Sequence, residues 1–286
     1  MTNSPIKITE CPRDAMQGLH DFIPTDKKAA YINLLLEVGF DTIDFGSFVS
    51  PKAIPQMRDT AELLAKLDLS NNRSKLLAII ANYRGAEDAV THPEITYLGF
   101  PFSISETFQR RNTNSGIAES FETVKRINEL CAATNKQLLV YLSMGFGNPY
   151  GDEWSPAIVE DWAGKMVNES IKTIALADTI GAANAGQITD IYPLLTRQFP
   201  DTEFGIHLHS TPDTWHEKIE AAYKSGCRRF DTTIKGYGGC PMAADDLTGN
   251  IATENLIRYL QTQNEITGLD MGKFREAMEY AGSIFS

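Results

Sequence analysis

Two histidines separated by one residue, His207-Leu208-His209, are the sharpest chemical signal in the chain. Residues i and i+2 of a β-strand share a face, so the two imidazoles would stand side by side as half of a metal site. Arg13-Asp14 offers a carboxylate that can ligate a cation and a fixed positive charge that can stabilise a developing oxyanion. Asp44, Asn82, Asp178-Thr179 and Asp231 are further polar residues that follow apolar runs, and Cys240 lies in the run Gly238-Gly239-Cys240-Pro241. A thiol in a glycine-rich loop beside such residues reads as reactive. Cys11, Cys131 and Cys227 read as small buried apolar groups. None of the four cysteines forms a C-x-x-C pair, which disfavours structural zinc. Imidazole combined with carboxylate and amide oxygen suits Mg²⁺, Mn²⁺ or another divalent ion. Taken singly, each signal has a plainer reading. The histidines could be ordinary, Arg13-Asp14 a surface ion pair, and Asp44 an internal ion pair as readily as a base or substrate contact.

What raises the chemical reading is the rhythm of elements that would carry these residues. Short runs rich in β-branched and aromatic residues lie at about 6–11, 42–48, 75–82, 94–102, 137–144, 173–181, 203–210 and 228–236. Amphipathic helical segments lie near 26–38, 56–67, 84–91, 115–134, 155–168, 184–198, 213–225 and 252–262, with a final helix near 271–283. Ser155-Pro156 places a capping residue before a proline at the first helical position, and Gly39 follows the stripe Ala29, Ile32, Leu35, Leu36. Eight βα units predict an α/β fold, a (β/α)₈ TIM barrel with an extra C-terminal helix, as one domain over 1–286. A doubly wound open sheet would show a Gly-rich phosphate loop after the first strand, where this chain has CPRDAMQG. In a barrel, chemistry sits at the C-terminal strand ends, which is where the polar residues fall. The long stretch 144–156 would line that mouth.

Composition narrows the function classes. With 26 Lys and Arg against 37 Asp and Glu the net charge is −11, and 42% of the 286 residues are hydrophobic. There is no long basic run to bind nucleic acid; Arg110-Arg111 and Arg228-Arg229 read as solvated surface pairs. No apolar run reaches the ~18 residues of a membrane span. The start, MTNSPIKITE, has no basic region followed by an apolar stretch, so it does not read as a signal peptide. Unpaired cysteines fit a reducing, cytoplasmic setting.

Over about 6–262 the sequence resembles the hydroxymethylglutaryl-CoA lyases, aldolase-like metallolyase barrels akin to isopropylmalate and homocitrate synthases. The resemblance is carried by CPRDAMQ (11–17), SFVSPKAIPQM (47–57), ADTIGA (177–182), HLHST (207–211) and GGCPMAADDLTGNIATENL (238–256). It implies that Asp14, His207, His209 and Asn250 ligate a divalent cation, Mg²⁺ or Mn²⁺. From the residues alone, Asn250 reads instead as a helix N-cap. The resemblance further implies that Arg13 stabilises the enolate of the leaving acetyl-CoA and that Cys240 takes part in proton transfer. Asp44 stands where the family has a glutamate. Arg13, Gln17, Ser47, Tyr141 and Thr179 would contact the substrate, and the oligomer would be a homodimer. The chain departs from the family pattern at Cys11 and Ala15 for glycines, Asp44 for glutamate, Ser210 for aspartate and Leu139 for an arginine. It also gains Asp245 and Asp246 in a 240–250 segment one residue longer.

The implied reaction is a retro-Claisen cleavage of 3-hydroxy-3-methylglutaryl-CoA to acetyl-CoA and acetoacetate, with His207, or Asp44 through water, accepting the C3 hydroxyl proton. The rival readings are a lyase for a related 3-hydroxyacyl-CoA and an acetyl-CoA-dependent condensing synthase of the same superfamily. A non-catalytic acyl-CoA-binding barrel would have lost Arg13, a ligand or Cys240.

Overall fold

A computed structural model of the chain describes residues 4–239 and 248–285. Eight parallel strands close into a barrel: β1 (Lys7–Glu10), β2 (Thr42–Ser47), β3 (Lys75–Ile79), β4 (Ile95–Ser103), β5 (Gln137–Ser143), β6 (Thr173–Ala177), β7 (Glu203–His207) and β9 (Arg229–Thr232). Between β7 and β9 comes a two-residue strand, β8 (His209–Ser210), which pairs antiparallel with β10 (Gly249–Asn250) outside the barrel. The helices are α1 (Pro12–Gln17), α2 (Thr25–Val38), α3 (Thr60–Leu64), α4 (Tyr83–Val90), α5 (Glu106–Thr113), α6 (Ile117–Ala133), α7 (Pro156–Asn168), α8 (Ala185–Gln198), α9 (Trp215–Lys224), α10 (Thr253–Thr262) and α11 (Met271–Ile284). The TIM-barrel expectation holds, including the extra helix α11.

Two layers of side chains hold the barrel. Outward-facing strand residues such as Ile43, Phe45, Leu98, Phe100, Val140, Ile174 and Ile206 form one large core with the helices. Inside the barrel, Leu77, Ile79, Tyr97, Leu139, Tyr141, Ala175 and Ala177 form a separate apolar cluster on β3 to β6. The rest of the interior is polar: Thr9, Thr42, Asp44, Arg229 and Asp231 are all buried. The alternation of faces along each strand produces both layers from one sequence. Arg229, expected on the surface, is 1% exposed. Its guanidinium donates from Nη1 to Glu203 at 3.3 Å and lies over the Tyr97 ring, so the strand's period, not its charge, decides its place.

Several boundaries differ from the sequence reading. The helix expected at 56–67 is a 3₁₀ turn, Pro55–Met57, followed by α3. Thr60 explains the break. Its hydroxyl donates to the Met57 carbonyl and accepts the Ser47 N–H, pinning the chain to β2, where a Cβ on Gly46 would lie 2.6 Å from Thr60 Cγ2. Helices α1 and α5 were not expected: α1 has six residues, and α5 presents just Phe108 and Gln109 as buried residues, too few for a stripe. Asn82 is no site residue. It is exposed and caps α4 by accepting the Gly85 N–H at 2.9 Å. Ser155 caps α7 as expected, and Gly39 takes the left-handed conformation at φ 86° after α2. No helix among the described residues is long and apolar enough to cross a membrane.

Candidate active site

The strand expected over 203–210 is two strands. β7 stops at His207, and His209 starts β8, whose register partner is Asn250. The rings still meet, 5.2 Å apart between centroids. Asn250 therefore belongs to a strand, and the N-cap of α10 is Ala252. Arg13 and Asp14 likewise sit in the first turn of α1 rather than on β1. Pro12 at the first helical position tips this turn over the barrel mouth, where both side chains are buried.

These elements converge on one point. Ligand atoms of Asp14, His207 and His209 all lie within 4.8 Å of one another. His209 Nδ1 lies 3.1 Å from the Thr179 carbonyl, which can only accept, so Nδ1 carries the proton and Nε2 a lone pair. That Nε2 is buried and has no hydrogen-bond partner among the described residues. A buried acceptor without a donor, facing a carboxylate and a second imidazole, is what a cation site requires. Asn250 donates from Nδ2 to Asp14 at 2.7 Å and to the Tyr237 carbonyl at 3.0 Å, leaving its Oδ1 as a further ligand atom. His207 Nδ1 faces Asp231 Oδ2 at 3.4 Å, which orients the ring. The residues present thus fit a divalent cation. A thiol stands close by, since Cys11, His207 and Asp231 form a second such grouping.

The electrostatics follow from burial and from one crowded guanidinium. Arg13 donates from Nε and Nη2 to Asp44 at 3.0 and 2.5 Å and from Nη1 to Asp14 and Gln17, each at 3.0 Å. Burial opposes the Arg13 charge, but Asp44 and Asp14 outweigh it and strengthen its hold on the proton. Burial also opposes the charge on Asp14, yet Arg13, His207 and His209 hold its carboxyl below the ordinary range. Asp44 is pushed up to about 6, because burial outweighs the Arg13 charge. Burial and the neighbouring His207 take His209 down to about 4, so its imidazole is neutral at pH 7. His207 goes the other way: burial disfavours its cation, but Asp231 and Asp14 raise it above the usual value.

The remaining candidates sort by what they touch. Gln17 braces the pair, accepting from Arg13 and donating from Nε2 to Asp14 at 2.8 Å. Tyr141 stands edge-on to His207 at 5.9 Å, on the apolar wall that also contains Leu139. The Thr179 hydroxyl accepts the Met144 N–H at 2.8 Å while its carbonyl holds His209. Ser47 is 2% exposed and accepts the Val49 N–H. Cys240, with Asp245 and Asp246, lies outside the described residues. Gly238, just before it, sits at φ 82°, and a Cβ there would lie 2.7 Å from the Asp14 carbonyl, so only glycine lets this turn rest on α1.

An HMGL-like family model matches residues 6–280. The chain belongs to the HMGL-like family. Members similar to it include mouse mitochondrial hydroxymethylglutaryl-CoA lyase, 32% identical over 278 residues, covering 96% of this chain and 84% of that one. A Bacillus subtilis hydroxymethylglutaryl-CoA lyase is 32% identical over 269 residues, covering 94% and 89%. Among solved HMGL-like structures, an HMG-CoA lyase from Acinetobacter baumannii in complex with coenzyme A and 3-methylmalate superposes with a TM-score of 0.91 at 31% identity, covering 100% of this chain and 92% of that one. The chain is thus similar to HMGL-like enzymes along nearly its whole length, and the His-x-His and Arg-Asp positions lie inside the matched span.

Sequence reasoning missed two supporting residues of this site. The ammonium of Lys218 from α9 is buried against Asp178 at 2.9 Å, although lysine is ordinarily a surface residue. Glu10, at the end of β1, is buried beneath the turn after β9 and accepts the Ile234 N–H and the Thr253 hydroxyl at 2.7 and 2.6 Å. Neither position carries a local signal, because burial of a charge depends on partners distant in sequence.

Proposed function

We propose that the protein is a divalent-cation-dependent carbon–carbon lyase that cleaves 3-hydroxy-3-methylglutaryl-CoA to acetyl-CoA and acetoacetate. The observation that carries the reading is the buried, unpartnered His209 Nε2, grouped with Asp14 and His207 and flanked by Arg13. Asp14, His207, His209 and the Asn250 amide oxygen would hold Mg²⁺ or Mn²⁺. When bound, such a cation supplies Lewis-acid stabilisation of negative charge on substrate oxygen.

The chain's own groups have distinct tasks. Asp44, raised to about 6, accepts the C3 hydroxyl proton through water; His207 is committed as a ligand and leaned upon by Asp231. Cleavage of the C2–C3 bond sends its electron pair into the thioester, and the resulting enolate oxygen lies against Arg13. Asp44 and Gln17 hold that guanidinium in place before the charge develops, which is how a preorganised cation lowers a barrier. Cys240 returns a proton to the enolate carbon, giving acetyl-CoA. Tyr141, Ser47 and Thr179 line the acyl side. The proposal includes a homodimer in a cytoplasmic setting, where the buried thiols of Cys11, Cys131 and Cys227 stay reduced.

The test is release of acetyl-CoA and acetoacetate from hydroxymethylglutaryl-CoA with Mg²⁺ or Mn²⁺ under reducing conditions, for wild type and Cys240→Ala. Cation-dependent release that falls sharply in the variant is the expected result. A folded, Mn²⁺-binding protein that releases neither product overturns the substrate assignment.

A further inference from the structure

Lys218 is 2% exposed, and its ammonium spends all three of its N–H bonds on one side of the site. It donates to Asp178 Oδ2 at 2.9 Å, to the Gly181 carbonyl at 3.0 Å and to the His209 carbonyl at 2.7 Å. Asp178, 1% exposed, uses its other oxygen to accept the Ala183 N–H at 2.9 Å, and its own N–H donates to the His207 carbonyl at 2.8 Å. The ring of His209 leans on the carbonyl of Thr179, inside the same segment.

The circuit is closed. One cation grips the main chain of His209 and, through Asp178 and Gly181, the 178–183 turn on which the imidazole of His209 rests. Both ends of the histidine are thereby fixed, and its unpartnered Nε2 has one direction to point. The β8–β10 pairing alone supplies two residues per strand, too little to orient a ring. Nothing else among the described residues reaches both the His209 carbonyl and the turn with a charged group.

We propose that Lys218 is a positioning residue for the cation ligand His209, acting through the Lys218–Asp178 pair and two strand-end carbonyls. The inference rests on the cation-binding reading above. It concerns binding of the ion rather than the identity of the substrate. Outer partners of metal-bound histidines typically contribute about 10- to 100-fold to metal affinity.

The experiment measures Mn²⁺ dissociation constants by electron paramagnetic resonance, on proteins shown folded by circular dichroism, well below their melting temperatures. The variants are Lys218→Met and the double variant Lys218→Met/Asp178→Leu. The double variant removes both buried charges together, so the fold is not left with an unpaired carboxylate should the single change prevent folding. Lys224→Met, on the exposed face of the same helix, is the control. The expected result is Mn²⁺ binding weakened about 10- to 100-fold in the Lys218 variants and unchanged in the control. A folded Lys218 variant that binds Mn²⁺ within twofold of wild type overturns the proposal. Absence of Mn²⁺ binding by the wild type removes the cation reading and this inference together. Mn²⁺ binding without product release overturns the substrate assignment alone and leaves the role of Lys218 to be decided by the affinities.

Discussion

The barrel buries charge at both ends, and the two ends are composed differently. At the bottom, Arg229 meets Glu203 and Asp41, Lys7 pairs with Glu203, and Lys75 lies 3.4 Å from Asp41. Cations slightly outnumber carboxylates there, and a donor, Arg229 Nε, is among the buried atoms without a partner in the described residues. At the mouth, Asp14 and Asp44 pair with the single guanidinium of Arg13, Asp231 faces His207, and the His209 acceptor Nε2 is without a partner among the described residues. Two carboxylates on one guanidinium leave an excess of negative charge, which a bound cation would complement. Burial of charge alone does not mark a functional site. A surplus of lone pairs and negative charge, held rigidly and left uncompensated, does.

The contrast can be broken most forcefully at Arg13. Arg13→Gln should lower turnover of hydroxymethylglutaryl-CoA by about 10²–10³, the usual effect of losing one preorganised charge at a developing oxyanion. Mn²⁺ affinity should change by less than about tenfold, since Gln17 still supports Asp14. Full activity in a steady-state product assay would show that the enolate is stabilised elsewhere. His209→Ala should leave the protein folded but cut metal content after dialysis against micromolar Mn²⁺. Elemental analysis giving wild-type stoichiometry would remove His209 from the ligand set.

The bottom should answer with stability instead. Arg229→Met should destabilise the fold by about 2 kcal/mol, less than the roughly 3–5 kcal/mol of a fully buried pair because Glu203 and Asp41 keep some water contact. Urea unfolding measures this, and Mn²⁺ affinity should stay within threefold. A large loss of affinity would mean that the two ends communicate.

The smallest effect is a pH dependence at Glu10, whose carboxyl burial raises to about 8 despite the bonds from Thr253 and Ile234. Between the ordinary value near 4.5 and about 8 the folded state holds a proton that the unfolded chain has released. The stabilisation from this group is therefore complete below about 4.5 and is lost as pH rises through about 8. Melting temperatures measured from pH 5 to 8 should decline less steeply for Glu10→Gln than for wild type. Parallel slopes would place the titration on another group.

Much of this was legible in the sequence, for reasons that also explain what was not. The eight strands and most helices follow from period and from caps such as Ser155, which act locally. His207, His209, Asp14 and Arg13 were legible because side-chain type and a barrel's polarity agree. Asn250 read as a cap because an asparagine before a helix looks the same whether or not a strand captures it; only its pairing with His209 distinguishes the two. Arg229, Lys218 and Glu10 were illegible as buried charges, since their partners lie 26, 40 and 243 residues away in the cases of Glu203, Asp178 and Thr253. Helix α5 was missed because most of its surface faces water.

The β8–β10 pairing bears on how such an enzyme can diversify. His209 and Asn250 are opposite one another because two short strands are in register, with Ser210 facing Gly249 beside them. Changes that leave the Ser210–Gly249 pairing intact should therefore keep His209 and Asn250 opposed, and a variant's Mn²⁺ affinity against wild type would report whether they do.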